Sequence, residues 1–190
     1  MTDKAAGLDI ALIHHPVLNK VGETIGSAVT NLDLHDIARA ARTYGVQRYY
    51  VATPYRDQHE LIGEIVGHWQ HGRGAGYNPA RKEALSIIRA LYGLDDIINE
   101  ISDRRGQKPL LVATSARSQP NELSYHDLRS YMEKDSSPVL LLFGTAHGLA
   151  PEIMERADSF LPPIKGKSAY NHLSVRSAVS IILDRLLSLN

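Results

Sequence analysis

The chain has 190 residues, of which 43% are hydrophobic, so it is long enough to bury a sizeable core and fits a single domain, residues 1–190. It contains no cysteine, which excludes disulfides, thiolate zinc sites, iron–sulfur clusters and cysteine nucleophiles. Its 21 basic residues balance 21 acidic ones. No overall field therefore attracts nucleic acid, although a local basic patch is compatible with this composition.

The hydropathy pattern bears on where the protein is found. No window approaches the roughly 20 apolar residues that a membrane span needs. The first residues, MTDKAAGLDIALIHH, lack the pattern of a cleaved secretion signal. We therefore expect a cytoplasmic protein that does not enter a membrane.

Strand and helix patterns alternate in the first half of the chain. Short apolar and β-branched runs predict strands, and apolar side chains at helical spacing predict helices. Thr30 or Asn31 is the expected cap of the first helix, and Asn78 followed by Pro79 is the expected start of the third. The predicted strands are 9–17 and 48–53, and the predicted helices are 32–44, 56–71 and 79–91.

The same alternation continues in the second half. Ser124, with Asp127 three residues later, is typical of a helix start. The predicted elements are a helix at 95–105, a strand at 109–113, a helix at 124–135, a strand from Pro138, a short helix, a further strand and a long closing helix. Strands that alternate with helices indicate an α/β fold, in which a mostly parallel sheet carries helices on both faces.

Two polar loops follow neighbouring strands near the end of the chain, namely Phe143–Leu149 (FGTAHGL) and Ile164–Ser174 (IKGKSAYNHLS). Open α/β sheets bind ligands at the carboxyl ends of their strands, and glycines allow a backbone to approach a ligand. Neither loop has a dinucleotide fingerprint or a triphosphate-loop lysine. Taken alone, the glycine spacing is more typical of an ordinary turn, and Asn171 is more typical of a helix cap.

Taken with Ala113–Arg117 (ATSAR), these two loops resemble the cofactor loops of the SPOUT, or α/β-knot, methyltransferases, over Leu110–Leu187. Within that superfamily the chain is most similar to a small bacterial group of RNA methyltransferases. The resemblance implies a C-terminal trefoil knot, S-adenosylmethionine as cofactor, and tRNA or rRNA as substrate. It also implies a homodimer whose interface is formed partly by the closing helix. The apolar face of that helix is equally compatible with a place in the core.

The resemblance also assigns the site. It gives Asn171 and Ser174 a place on the methyl-transfer side and Arg39 a catalytic role, although an arginine on a helix is more often a surface group. Members that modify ribose carry Asn six residues before such an Arg, where this chain has Asp33, and a Glu in the middle loop, which this chain lacks. The choice between base and ribose is thus open. The cofactor-binding residues are Thr114, Ser115, Phe143, Gly144, Thr145, Gly148, Leu149, Ile164, Gly166, Asn171 and Leu173.

Other polar groups have weaker patterns. His147, His172 and Asp184 are candidate general bases within the matching region. Clustered cations beside an aromatic ring suit phosphates and unpaired bases, although such cations also balance acidic residues on solvated helices. The candidate RNA-binding residues are Arg73, Tyr77, Arg81 and Lys82. The histidines at 68 and 71 do not form a zinc motif, so we expect no metal site.

An S-adenosylmethionine-dependent RNA methyltransferase is the function that these patterns favour. One alternative is a knotted module that binds S-adenosylmethionine or RNA without catalysis, which the missing Glu and the partial Arg motif favour. Another is a small-molecule methyltransferase, which the neutral charge permits.

Overall fold

Six parallel strands form one sheet in a computed structural model that describes residues 7–134, 137–168 and 170–189. A separate antiparallel pair, β2 and β3, follows the first strand. The strands are β1 Leu8–Ile13, β2 Val17–Leu18, β3 Thr24–Ile25, β4 Tyr49–Ala52, β5 Ile88–Leu91, β6 Leu110–Ala113, β7 Val139–Gly144 and β8 Ser159–Phe160. The order across the large sheet is β5-β4-β1-β7-β6-β8, so β1 and β7 lie at its centre.

The described ranges contain eight helices, of which the first seven lie between strands: α1 Asn31–Thr43, α2 Arg56–Gln70, α3 Gly74–Tyr77, α4 Pro79–Leu85, α5 Leu94–Arg105, α6 Tyr125–Lys134, α7 Pro151–Met154 and α8 Val175–Leu187. Three predicted starts are confirmed, including that of α4, where the Asn78 side chain accepts a hydrogen bond from the Arg81 amide (3.0 Å). The Thr30 hydroxyl accepts a hydrogen bond from the Asp33 amide (3.1 Å), and the Ser124 hydroxyl accepts one from the Asp127 amide (3.1 Å). None of the helices in the described ranges is long and apolar enough to span a membrane.

Helices cover both faces of the sheet, as the alternation of elements predicts. Because successive side chains of a strand point to opposite faces, the central strands supply two separate cores. Leu12 and Phe143 belong to the core under α1 and α8, whereas Ile13 and Leu142 belong to the core under α5 and α7. The apolar side chains of these central strands are buried almost completely.

The closing helix α8 packs into the core. Its apolar stripe, formed by Val179, Ile182, Leu183 and Leu186, is buried with residues of α1 and β7. An ion pair also connects its first turn to α1, because the Arg176 guanidinium lies 3.8 Å from the Asp33 carboxylate. The stripe was expected to lie either at a dimer interface or in the core, and the fold supports the core. The stripe therefore gives no independent reason to infer a dimer.

Two predicted elements were wrong in extent. The strand predicted at 9–17 ends at Ile13, because Pro16 has no amide hydrogen for a ladder, and Val17 instead pairs with Ile25. The helix predicted at 79–91 ends at Leu85, and residues 88–91 form β5. Their apolar spacing suits a helix, but pairing with β4 stabilises an extended backbone there.

Candidate functional site

Three loops meet at the carboxyl edge of the sheet, because β6, β7 and β8 are parallel and end at the same edge. We call them loop A (residues 114–124), loop B (145–150) and loop C (161–174). Loop C begins by extending the pairing of β8 with β6, since the Leu161 amide donates to the Ala113 carbonyl (3.0 Å). The three segments that carried the family resemblance are thus neighbours in the fold.

Asn171 joins loop C to loop A. Its side-chain Nδ2 donates a hydrogen bond to the Ala116 carbonyl (2.9 Å). The residue is therefore not the cap of α8, which was its expected role when taken alone. That cap is Ser174, whose hydroxyl accepts a hydrogen bond from the Ser177 amide (3.3 Å). The amide of Asn171 holds two predicted cofactor loops together.

Loop B is a tight turn that requires a glycine at position 144, the last residue of β7. A Cβ atom at Gly144 would lie 2.7 Å from the Leu149 nitrogen, which is closer than real contacts allow. Ala146 and Gly148 both have positive φ, 51° and 110°. Ala146 therefore occupies a left-handed conformation that costs a non-glycine residue about 1 kcal/mol or more. A larger residue at 144 would distort the loop whether or not a ligand binds there.

Backbone hydrogen bonds attach loop B to β2, a contact that the sequence did not predict. The Leu18 amide donates to the Gly148 carbonyl (2.9 Å), and the His147 amide donates to the Leu18 carbonyl (3.0 Å). The sequence signal was weak, namely Val17–Leu18 and Thr24–Ile25 on either side of a turn at Gly22, which has φ 84°. The segment between β1 and α1 therefore forms part of the same edge.

The predicted cofactor residues differ in their exposure. Phe143 and Leu149 are buried, in the cores on opposite faces of the sheet, and the Thr114 hydroxyl donates to the Leu142 carbonyl (2.9 Å). Leu173 is 46% exposed. A Cβ added at Gly166 would have no atom within 4 Å. Buried apolar side chains at the strand ends, together with exposed polar groups on the loops, suit S-adenosylmethionine, a ligand with an aromatic base, a ribose and charged ends.

Arg39 lies elsewhere. It is exposed and lines a groove of about 570 Å³ between α1, α2 and α4, which we call the Trp69 groove. The lining residues are Asn31, Leu32, His35, Asp36, Arg39, Glu64, Ile65, His68, Trp69 and Arg81. Burial lowers the pKa of His35 there, and the guanidiniums of Arg81 and Arg39 lower it further.

The candidate RNA-binding residues belong to the crossing from α2 through α4, and α4 leads directly into the start of β5. Arg81 stacks over the Trp69 ring at 4.6 Å, whereas Tyr77 is 89% exposed. Arg81 also lines the Trp69 groove, and none of the described residues of loops A–C lines that groove.

The candidate bases are also separated. His147 and His172 are exposed on loops B and C. Asp184 accepts a hydrogen bond from the Tyr44 hydroxyl (2.9 Å), next to the end of α1. Since α1 ends just before β4 begins, Asp184 lies at the amino-terminal edge, away from the loops. Within the described part of the chain, no group of three His, Cys, Asp or Glu residues is placed to hold a metal ion.

Comparison with known proteins agrees with this arrangement of loops. The family described as "SAM-dependent RNA methyltransferase" matches residues 7–188. A tRNA (guanine-N(1)-)-methyltransferase of Oleidesulfovibrio alaskensis is 45% identical over 93% of this chain, which spans 41% of that protein. An uncharacterized protein of Aquifex aeolicus is 44% identical over 95% of this chain and 88% of its own length.

A solved structure supports the fold. The SpoU methyltransferase AviRb of Streptomyces viridochromogenes, in complex with AdoMet, has a TM-score of 0.58 and 16% sequence identity. The match covers 97% of this chain and 58% of that one. The likeness supports the α/β fold with its mostly parallel sheet, and the family match confirms the expected family of S-adenosylmethionine-dependent RNA methyltransferases. The chain belongs to the family of SAM-dependent RNA methyltransferases.

Proposed function

We propose that this chain transfers a methyl group from S-adenosylmethionine to a nucleotide of tRNA or rRNA. The observation that carries the proposal is that loops A, B and C lie together at one edge of the sheet. In addition, Asn171 of loop C donates a hydrogen bond to the Ala116 carbonyl of loop A. Family membership supports both the cofactor and RNA as the acceptor. The C-terminal knot remains a prediction from the resemblance, and the cytoplasmic location remains a prediction from the hydropathy pattern and the first residues.

S-adenosylmethionine supplies an activated methyl group when it is bound. The backbone of loops A, B and C would hold its adenine and ribose. Asn171 and Ser174 would face the acceptor. Bringing donor and acceptor to attack distance supplies most of the acceleration in such a displacement. If the acceptor must lose a proton, His147 of loop B and His172 of loop C are the exposed candidates to accept it as general bases.

The target nucleotide is left open by this proposal. The tRNA (guanine-N(1)-)-methyltransferase of Oleidesulfovibrio alaskensis is more than twice as long as the matched region, and its name describes that whole protein. We therefore carry over RNA as the substrate class but not guanine.

A homodimer forms part of the proposal because of Arg39. Arg39 lines the Trp69 groove, to which none of the described residues of loops A–C contributes. In this proposal Arg39 acts on the loops of a second copy. The same association would bring the RNA-binding candidates Arg73, Tyr77, Arg81 and Lys82 closer to a site. The exposed Leu173 and Tyr170 on loop C are available for such a contact.

Calorimetric titration with S-adenosylmethionine tests the cofactor site. We expect about one molecule bound per subunit. A Cβ added at Gly166 has no atom within 4 Å, so we expect Gly166→Val to leave the fold intact, and a loss of affinity there reports on the ligand. Gly63→Val is the matched control, because its added Cβ also meets open space but lies on α2. Absence of binding by folded wild-type protein would contradict the proposal.

Methyl incorporation tests the reaction. Labelled S-adenosylmethionine is supplied with total RNA, and separately with a metabolite extract, both from a strain that lacks the protein. We expect label in one class of RNA. Label only in the metabolites would select the small-molecule reaction. Saturable binding with no label in either fraction would select the non-catalytic module.

A further inference from the structure

A buried histidine lies directly beside the candidate cofactor site and has no role in the proposed reaction. His14 follows the last residue of β1 and is completely buried. Its Nδ1 lies 3.0 Å from the Ser27 hydroxyl, and that hydroxyl lies 2.5 Å from the Thr145 hydroxyl. Thr145 is the first residue of loop B. A chain of three side chains therefore connects β1, the segment before α1, and loop B.

The proton positions in this series of three hydrogen-bonded side chains can be assigned starting from Thr145. The Thr145 hydroxyl donates to the Ile13 carbonyl (3.1 Å). A hydroxyl has one proton, so with this bond formed Thr145 accepts from Ser27 at 2.5 Å, and Ser27 does not donate to its more distant acceptor, the His14 carbonyl (3.4 Å). Ser27 has then used its own proton and must accept from Nδ1 of His14. The chain consequently requires the neutral tautomer of His14 that carries its proton on Nδ1.

The surroundings of His14 agree with this assignment. Nε2 is buried and has no hydrogen-bond partner in the described structure, as a nitrogen without a proton tolerates better than a charged N–H would. Burial lowers the pKa of His14 to about 4, although the carboxylate of Asp33 acts in the opposite direction. His14 is thus neutral at physiological pH, and the donors and acceptors in this series of hydrogen bonds stay the same there.

The hydroxyl chain complements the backbone contacts of loop B. The bonds to Leu18 hold the far side of the loop at residues 147 and 148, whereas the side-chain contacts hold its first residue. Ala146, between the two anchors, has the left-handed conformation. Such a conformation persists only where neighbouring contacts impose it. Loop B is therefore fixed at both ends around a strained residue.

We propose that His14 is a positioning residue, which holds loop B in its cofactor-binding geometry through Ser27 and Thr145. This inference rests on the proposed function in that loop B contacts S-adenosylmethionine. His14 itself touches neither cofactor nor substrate. Its contribution is to keep the Ser27 hydroxyl aimed at Thr145, so that the loop does not have to be ordered when the ligand binds.

The experiment compares three variants that lie outside loop B. His14→Leu removes the donor, His14→Asn retains a donor N–H near the Nδ1 position, and Ser27→Ala removes the middle hydroxyl. We measure affinity for S-adenosylmethionine by calorimetry. We also measure hydrogen exchange of the His147 and Gly148 amides without ligand, with the Leu123 amide as a distant reference. Exchange needs no cofactor, so it is informative even if binding fails.

We expect His14→Leu and Ser27→Ala each to weaken binding about tenfold and to speed exchange in loop B about tenfold, since each loses one link of the same chain. The double variant that combines His14→Leu with Ser27→Ala should bind S-adenosylmethionine no more weakly, and exchange its loop B amides no faster, than either single variant. His14→Asn should recover most of the affinity. Ser27→Ala alone decides the question if His14→Leu fails to fold.

Unchanged exchange in loop B overturns the inference, whatever the affinity. Faster exchange with unchanged affinity also overturns it, because the loop would then be held without any benefit to binding. If wild-type protein binds no S-adenosylmethionine, the proposed function fails. In that case the exchange data still support or reject the anchoring of loop B by His14.

Discussion

Loops A–C and the Trp69 groove both concentrate polar and basic side chains, but they are built differently. Main-chain groups join loop B to β2 and loop C to β6, and Asn171 adds a side-chain bond to a main-chain carbonyl. The groove depends on side chains, with Arg81 stacked on Trp69 and the His35 ring edge-on to it at 5.6 Å. Loops A–C, which main-chain bonds hold, should keep their shape for a ligand. The groove, which side-chain packing holds, should contribute to the stability of the fold as well as presenting Arg39 and Arg81.

The first prediction concerns the groove and has the largest expected effect on stability. Trp69→Ala removes the ring against which Arg81, His35 and α3 pack. We expect the free energy of unfolding to fall by about 3 kcal/mol, because the partly buried ring loses its packing against the core and these neighbours. Urea denaturation measures this. Affinity for S-adenosylmethionine should be unchanged in the folded variant.

Tyr77→Ala serves as the control for that experiment. Its ring is 89% exposed, so its removal should change stability by less than about 0.5 kcal/mol. A folded Trp69→Ala protein with weakened cofactor binding would mean that the groove and the loops are coupled, against the comparison above.

The second prediction concerns loop B. Gly144→Ala places a Cβ against the Leu149 nitrogen, and the turn must shift to avoid it. We expect a loss of about 2 kcal/mol in the free energy of unfolding, together with loss of cofactor binding. Urea denaturation and calorimetry on the same samples measure the two effects. Gly166→Ala on loop C, where the added atom meets open space, should leave the stability unchanged.

If Gly144→Ala proved as stable as wild type and bound S-adenosylmethionine normally, the turn of loop B would have room to relax. The main-chain contacts would then not impose the geometry that we ascribe to them.

The third prediction is a pH dependence with a smaller effect. Burial lowers the pKa of His14 from its ordinary value of 6.5 to about 4. Between these values the unfolded chain binds a proton that the folded chain excludes. The contribution of neutral His14 is therefore complete above pH 6.5, and stability declines by at most about 1.4 kcal/mol per pH unit as the pH falls toward 4.

Urea denaturation of wild type and His14→Asn at several pH values measures this decline. Burial also raises the pKa of Asp9, which gives the opposite slope at low pH, so the informative quantity is the difference between the two proteins. That difference should be flat above pH 6.5 and should narrow below it. Parallel profiles from pH 7 to 4.5 would contradict a neutral, buried His14.

Periodicity predicted most of the fold because the helices have one buried stripe and the central strands are buried on both sides. Helix α1 shows this well, since Leu34, Ile37, Ala38 and Ala41 are all buried and its cap is Thr30. The failure at β5 has a physical cause. Leu85, Ile88 and Leu91 fit a helical stripe, and only the neighbouring strand β4 decides for an extended backbone.

The candidate site was predicted in part. Loops A, B and C follow strands whose parallel order places them together, and the family resemblance pointed to the same segments. The partners of individual side chains were not predictable. Asn171 has the local context of a helix cap, but the Ala116 carbonyl, 55 residues away, competes successfully for its amide. The contact from β2 to loop B joins residues 18 and 148, which no local pattern links.

The sequence by itself determined the alternation of strands and helices, the absence of cysteine chemistry, and the glycine-rich loops with their family resemblance. These properties are local, since each depends on residues within one element or one turn. The tertiary structure alone decided that Arg39 faces the Trp69 groove, that the stripe of α8 is core, and that His14, Ser27 and Thr145 form one chain. Such contacts join residues up to 132 positions apart. Their free energy is gained only when the sheet has brought those residues together.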